Sequence, residues 1–184
     1  MDFAKVLGAI ATFLERRRFA LAGAFAMQAH GLQRATADLD FVVEDAARVD
    51  LLRFMKSLGY EELHASEGYS NHLHADPALG RVDFIYLDAH TADVLFADAQ
   101  RKRVGSLDLL VPSPEHLAAM KVHAIKNSPV RLYKELADIQ FLLELPGVDE
   151  EKIRGYFEKH GLRGRFDELK RIIIGRDHDP DDPG

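Results

Sequence analysis

The 184-residue sequence contains no cysteine and no tryptophan. Without thiols there is no disulfide scaffold, no thiolate nucleophile and no thiolate zinc site. Long apolar runs are missing as well. The longest nearly apolar stretch, Phe19 to Ala29, is too short to span a bilayer. The N-terminus does not read as a signal peptide, because Arg16, Arg17 and Arg18 follow the apolar residues instead of preceding them. A cytoplasmic protein with no membrane partner is therefore the expectation. An excess of positive charge is also lacking. Lys and Arg number 24 against 30 Asp and Glu, a net charge of −6, which argues against a surface devoted to clamping nucleic acid. The length suits one domain with a small appendage, and a hydrophobic content of 47% can fill its core.

The charge is distributed in blocks. Residues 1–36 carry +3, residues 37–100 carry −9, residues 101–174 carry +3 and the remaining tail carries −3. An acidic middle between basic segments suits a site that takes a divalent cation and then something phosphorylated. A solvated acidic surface is the simpler account of the same pattern.

Periodicity supplies the elements. Phe3, Leu7, Ile10 and Leu14 recur at helical spacing, so 2–18 reads as an amphipathic helix closed by the three arginines. A short strand over 19–22 is broken by Gly23, and a short helix follows to His30. Asp38 to Glu44 alternates as a strand, with Leu39, Phe41 and Val43 on one face and Asp38, Asp40 and Val42 on the other. A helix over 46–58 is marked by Val49, Leu52, Met55 and Leu58. Strands follow near 60–65, 69–74 and 81–87, then a helix at 91–99 and strands at 101–104 and 107–111. Ser113-Pro114 opens a helix to Asn127. Further helices fit 132–143, 149–160 and 163–174. The expected fold is α+β (mixed α/β), a mixed sheet flanked by helices with a helical C-terminal half. The expected division is a core over 1–111, a helical part over 112–174 packed on it, and a disordered polar tail over 175–184.

The informative segment runs from Gly23 to Asp40. A strand enters a glycine at a helix start, where free N–H groups and the helix dipole favour phosphate. Asp38 and Asp40 then leave one strand face with Cα atoms about 6.6–6.8 Å apart. Two carboxylates this close are costly unless a cation neutralises them, and oxygen-only donors suit Mg2+ or Mn2+. Asp83, alternating with Val82 and Phe84, joins them if its strand lies alongside. Three convergent carboxylates can serve phosphoryl or nucleotidyl transfer. For Asp83 alone, a surface carboxylate is the plainer reading. His72 and His74 share a strand face and are expected to line the cleft opposite Asp83.

Gly23-Ala24, a spacer of thirteen residues and Asp38-Leu39-Asp40, with Asp83 on a later strand, resemble the signature of the polymerase-β-like nucleotidyltransferase superfamily. The stretch Arg34 to Asp40, the segment Pro112 to Lys121 and the run Lys134-Glu-Leu-Ala-Asp138 are similar to its bacterial branch of AbiEii-type toxins and antibiotic nucleotidyltransferases. The resemblance implies transfer of a nucleoside monophosphate from an NTP to a hydroxyl of RNA, protein or a cationic small molecule. It implies Asp38, Asp40 and Asp83 as metal ligands and, with Lys121, as catalytic residues. It implies Gly23, Ala24, Arg34, Thr36, Lys134 and Asp138 at the nucleotide, and an antitoxin as a partner. Read without the resemblance, Lys121 is a lysine snorkelling from an apolar helix stripe, and Lys134 with Asp138 is a helix-surface pair. Ala24 departs from the usual glycine or serine, Glu135 from the usual aspartate, and Arg131 from the usual arginine spacing. The competing class is a catalytically silent binding module that keeps the fold and holds nucleotide or a partner protein.

Overall fold

Alternating apolar residues set the centre of the first unit. In a computed structural model describing residues 3–176, Leu39, Phe41 and Val43 are fully buried from one face of β2 (Asp38–Glu44). β5 (Arg81–Leu87) buries Val82, Phe84 and Tyr86 in the same manner. Phe41 and Phe84 stack at 5.5 Å between centroids and join the two strands through the core. β2 and β5 run parallel, whereas β1 (Phe19–Leu21), β4 (Tyr69–His74) and β3 (Tyr60–Ala65) add antiparallel. The five-stranded mixed sheet has the order β1-β2-β5-β4-β3, and β6 (Gln100–Val104) and β7 (Leu107–Val111) form a separate hairpin. The helices of this unit are α1 (Phe3–Phe13), α2 (Gly23–Ala29), α3 (Arg48–Ser57) and α4 (Ala89–Ala97).

The chain divides into two compact units between Ser113 and Pro114. The second contains α5 (Pro114–Asn127), α6 (Leu132–Leu143), α7 (Glu150–Lys159) and α8 (Arg163–Arg176). Its core is built from Leu117, Val122, Ile139, Leu142, Ile153 and Phe157, which the helical periodicity brings to one side of each helix. No helix among the described residues is long and apolar enough to cross a membrane.

Four expectations change. α1 ends at Phe13, so the arginines do not close it. Leu14 is fully buried in the turn that follows, and the arginines become tertiary clamps. Arg17 pairs with Asp50 at 2.7 Å, and Arg18 pairs with Glu44 at 2.6 Å and also with Asp93. In α3 the buried residues are Leu51 and Met55, while Val49 is half exposed, because a 3-10 turn over Asp45–Ala47 shifts the helix phase. Of the expected tail, residues 175 and 176 extend α8, and 177–184 lie outside the described residues. His72 does not face the cleft. It stands opposite Val82, and so belongs to the core face.

There His72 is 1% exposed, and its Nε2 shares a hydrogen bond with Ser70 Oγ at 2.9 Å. Ser70 Oγ also meets Tyr86 Oη at 2.7 Å. Burial holds the His72 imidazolium back, against the weaker pull of Glu62 and Asp83, so its folded pKa lies below the ordinary 6.5. The unfolded chain then takes up the proton first as pH falls, and stability is lost on acidification below about 6.5. Melting temperatures between pH 7.5 and 5.5 are expected to fall for the wild type and to fall less for His72→Gln. Equal slopes would refute the assignment.

Candidate active site

The face of β2 opposite the core carries Asp38 and Asp40, both half-buried. In the parallel register Asp40 stands opposite Asp83, and Asp38 opposite Arg81. Residues in register share a sheet face, so the three aspartates and Arg81 project together. Asn71 stands opposite Asp83 on the other side, from β4. The pairing of β2 with β5 thus brings together the three carboxylates expected from the sequence, with Asn71 in place of the expected histidines.

Gly23 approaches this face from β1. Ala22 N–H donates to the Asp40 carbonyl at 2.8 Å, which brings the chain to the aspartate just as it turns into α2. Gly23 has φ +56°, the left-handed region that favours glycine. A Cβ there would collide with the Asp40 carboxylate, with its Cγ at 2.5 Å and its Cβ at 2.8 Å. Conformation and space therefore both require glycine. Ala24 is buried in the first turn of α2, and Ala22 before it makes no side-chain cap. Thr36 brackets the start of β2, where Asp38 N–H donates to Thr36 Oγ1 at 3.2 Å. Arg34 lies in the preceding loop, and its carbonyl accepts from Gln28 Nε2 at 2.5 Å.

Arg81 is the residue that the sequence reading missed. Its Nε donates to Asp83 Oδ1 at 2.8 Å. That hydrogen bond raises the guanidinium's hold on its proton above the ordinary arginine value, and the charges of Asp83, Asp38 and Asp40 add to it against partial burial. The signal was available, since Arg81 lies two residues before Asp83 and a strand places both on one face. Hard oxygen donors in this number suit a magnesium-type ion, and the missing side chain at Gly23 leaves the Asp40 carboxylate its place on this face, so the donor set fits the metal in kind. As the side chains stand, no three carboxylate or imidazole groups among the described residues are arranged to hold an ion.

In the helical unit, Lys121 on α5 lies between two acids of α6. Its Nζ donates to Glu135 Oε2 at 3.0 Å and to Asp138 Oδ2. Arg131 pairs with the other Glu135 oxygen at 2.5 Å. The Glu135 and Asp138 side chains are 2% and 5% exposed and Lys121 only 12%, so these charges are sequestered from water. Asp138 thus meets Lys121, and Lys134, expected beside it, is exposed. Glu135, read in the sequence only as a departure, is a buried member of the cluster. Its spacing of three from Asp138 puts both on one helix face.

Solved structures similar to this chain include antibiotic nucleotidyltransferases. The antibiotic-resistance factor ANT(2'')-Ia is 13% identical at a TM-score of 0.65, covering 97% of this chain and 99% of its own. The lincosamide antibiotic adenylyltransferase LnuA, solved with lincomycin, is 14% identical at 0.56, covering 76% of this chain and 96% of its own. A nucleotidyltransferase-like protein from Paracoccidioides brasiliensis is 16% identical at 0.54, covering 91% of each chain. At such identities the likeness is one of fold. No curated protein matches the chain in sequence. The model of the nucleotidyl transferase AbiEii toxin family, of type IV toxin–antitoxin systems, matches residues 5–182, and the chain belongs to that family.

Proposed function

We propose that this nucleotidyltransferase moves a nucleoside monophosphate from an NTP onto a hydroxyl acceptor, with Asp38, Asp40 and Asp83 as its metal ligands and catalytic carboxylates. The observation that carries the reading is the β2–β5 register, which sets Asp40 beside Asp83 on one face. Mg2+ or Mn2+, when bound, would withdraw charge from the phosphates and acidify the attacking hydroxyl. Asp38, Asp40 and Asp83 would hold the ion, and Asp83, beside the incoming hydroxyl, would take up its proton. The new bond joins the acceptor oxygen to the α-phosphorus, and pyrophosphate departs with the electron pair of the broken bond. Gly23 and Ala24 would offer backbone donors to phosphate, with Arg34 and Thr36 from the loop before β2. In the helical unit, Lys121 is proposed as a further catalytic cation, its ammonium oriented by Glu135 and Asp138, and Lys134 and Asp138 as nucleotide-binding residues. The acceptor is drawn from RNA, protein and cationic small molecules, the last favoured by the acidity of residues 37–100. An antitoxin is the proposed protein partner, and the cytoplasm the proposed location.

A second reading, the silent nucleotide-holding module, draws on the Arg81–Asp83 pair, which already neutralises one carboxylate without a metal. Melting curves with each NTP, with and without Mg2+, separate the two. Saturation at about 100 times the Kd adds about 2.7 kcal/mol. The enzyme requires that gain to depend on Mg2+, and the silent module does not.

Four substitutions test the residues. Asp38→Asn and Asp40→Asn should each reduce transfer of label from α-labelled NTP to total cellular RNA, protein or small molecules by roughly a thousandfold, about 4 kcal/mol, with the fold intact. Undiminished labelling by both would refute the site. Gly23→Ala should cost about 1–2 kcal/mol from the left-handed φ alone. It should cut transfer as well, because the new methyl displaces Asp40, and a variant as active as wild type would contradict that coupling. Lys121→Met removes the cation shared by two buried acids and should destabilise the protein by about 3–5 kcal/mol in urea titrations. A loss below 1 kcal/mol would mean the cluster is solvated.

A further inference from the structure

Arg81 occupies an unusual position for a cation at a metal-binding face. Asp83 is 21% exposed and Arg81 40%, so the pair is open enough to exchange partners. The guanidinium holds one oxygen of Asp83, and the charges of Asp38 and Asp40 reach it too. No three acidic or imidazole side chains among the described residues stand ready for an ion. A cation tethered two residues from Asp83 thus offsets one of the three negative charges, that of Asp83, before any metal arrives.

A hydrated divalent ion that enters alone and takes Asp83 as a ligand must displace a neutralising group fixed on the same strand. Its gain at Asp83 is offset by a guanidinium left without a carboxylate. An ion arriving with a triphosphate alters that balance. The phosphate oxygens are acceptors that a planar guanidinium binds well, often through two parallel hydrogen bonds. Arg81 then exchanges a carboxylate for phosphate as Asp83 exchanges a guanidinium for the ion, and neither charge is stranded.

We propose that Arg81 is a tethered counter-ion that closes the carboxylate site to free metal and yields Asp83 only to a metal–nucleotide complex, whose phosphate its guanidinium then binds. It is a positioning residue that acts through Asp83 until phosphate is present. The proposal rests on the reading of Asp38, Asp40 and Asp83 as the metal site. Its consequence is positive coupling between metal and nucleotide, with metal alone held weakly. An ion pair as exposed as this one contributes little to folding, so its removal leaves the chain folded.

The test measures binding without turnover. The full chain, Arg81→Gln, Arg81→Lys and Asp40→Asn are titrated with Mn2+ and free ion is followed by electron paramagnetic resonance. The titration is repeated with α,β-methylene analogues of the four NTPs. Arg81→Gln is expected to bind Mn2+ alone about tenfold more tightly than wild type and the Mn2+–analogue complex about tenfold more weakly, within the range of site-to-site couplings. A purely structural pair would not strengthen metal binding when lost. The proposal is overturned if Arg81→Gln binds Mn2+ alone no better than wild type while Asp40→Asn abolishes binding. If Asp40→Asn binds Mn2+ as wild type does, or no Mn2+ is held under any condition, the carboxylate site itself fails, and the proposal with it. Should Arg81→Gln not fold, Arg81→Lys decides. It keeps a cation without the fork, so weaker binding of the Mn2+–analogue complex supports the exchange, and unchanged binding refutes it.

Discussion

Parallel pairing between β2 and β5 is the constraint on which the candidate site depends. A side-chain period of two means that a slip of one residue would turn Asp83 into the core and Phe84 out to solvent. The register is held from the apolar side. Leu39, Phe41 and Val43 face Val82, Phe84 and Tyr86, all buried, and the Phe41–Phe84 stack lies at the centre. Burying these side chains is worth roughly 1.5–3 kcal/mol each, far more than like-charge repulsion among half-solvated carboxylates costs. The hydrophobic face therefore fixes the positions of the aspartates, and the protein can hold an electrostatically unfavourable arrangement in place without a ligand.

Gly23 makes the same point at the backbone. The position combines a left-handed φ with direct approach to the Asp40 carboxylate. Any side chain would have to move either the turn into α2 or the aspartate. The hydrogen bond from Ala22 N–H to the Asp40 carbonyl ties that turn to the strand, so the glycine and the acid are positioned as one piece.

Strand and helix positions were largely legible in the sequence, because period-two and period-3.6 patterns there are strong and glycine or proline interrupts most of them. The strands 38–44, 60–65, 69–74, 81–87 and 107–111 coincide with their expected bounds. The shared face of Asp38 and Asp40 was also legible, being a local property of one strand. The phase of α3 was not, because the 3-10 turn before it leaves no periodic mark. His72 was misplaced for a related reason. Alternation shows that His72 and His74 share a face but not which face, and that depends on pairing with β5, a non-local fact. The part played by Arg81 was not legible although its spacing from Asp83 puts both on one strand face, because an arginine at the start of a strand carries no mark that tells a site residue from a solvated one.

The two cation–carboxylate groups that contain expected site residues differ in a way that bears on their chemistry. Lys121 is 12% exposed against acids at 2% and 5%, with Arg131 completing the charge balance. Exchanging a partner there would leave a charge stranded in a dry environment, at a cost of several kcal/mol. Arg81 and Asp83 are open to water, where either partner can be replaced for about 1 kcal/mol or less. The buried group is suited to holding one arrangement, and the half-exposed group to switching between two. A site that must accept and release charged ligands in every cycle needs the second kind. In the first unit that is the kind found on the face where Asp38, Asp40 and Asp83 meet.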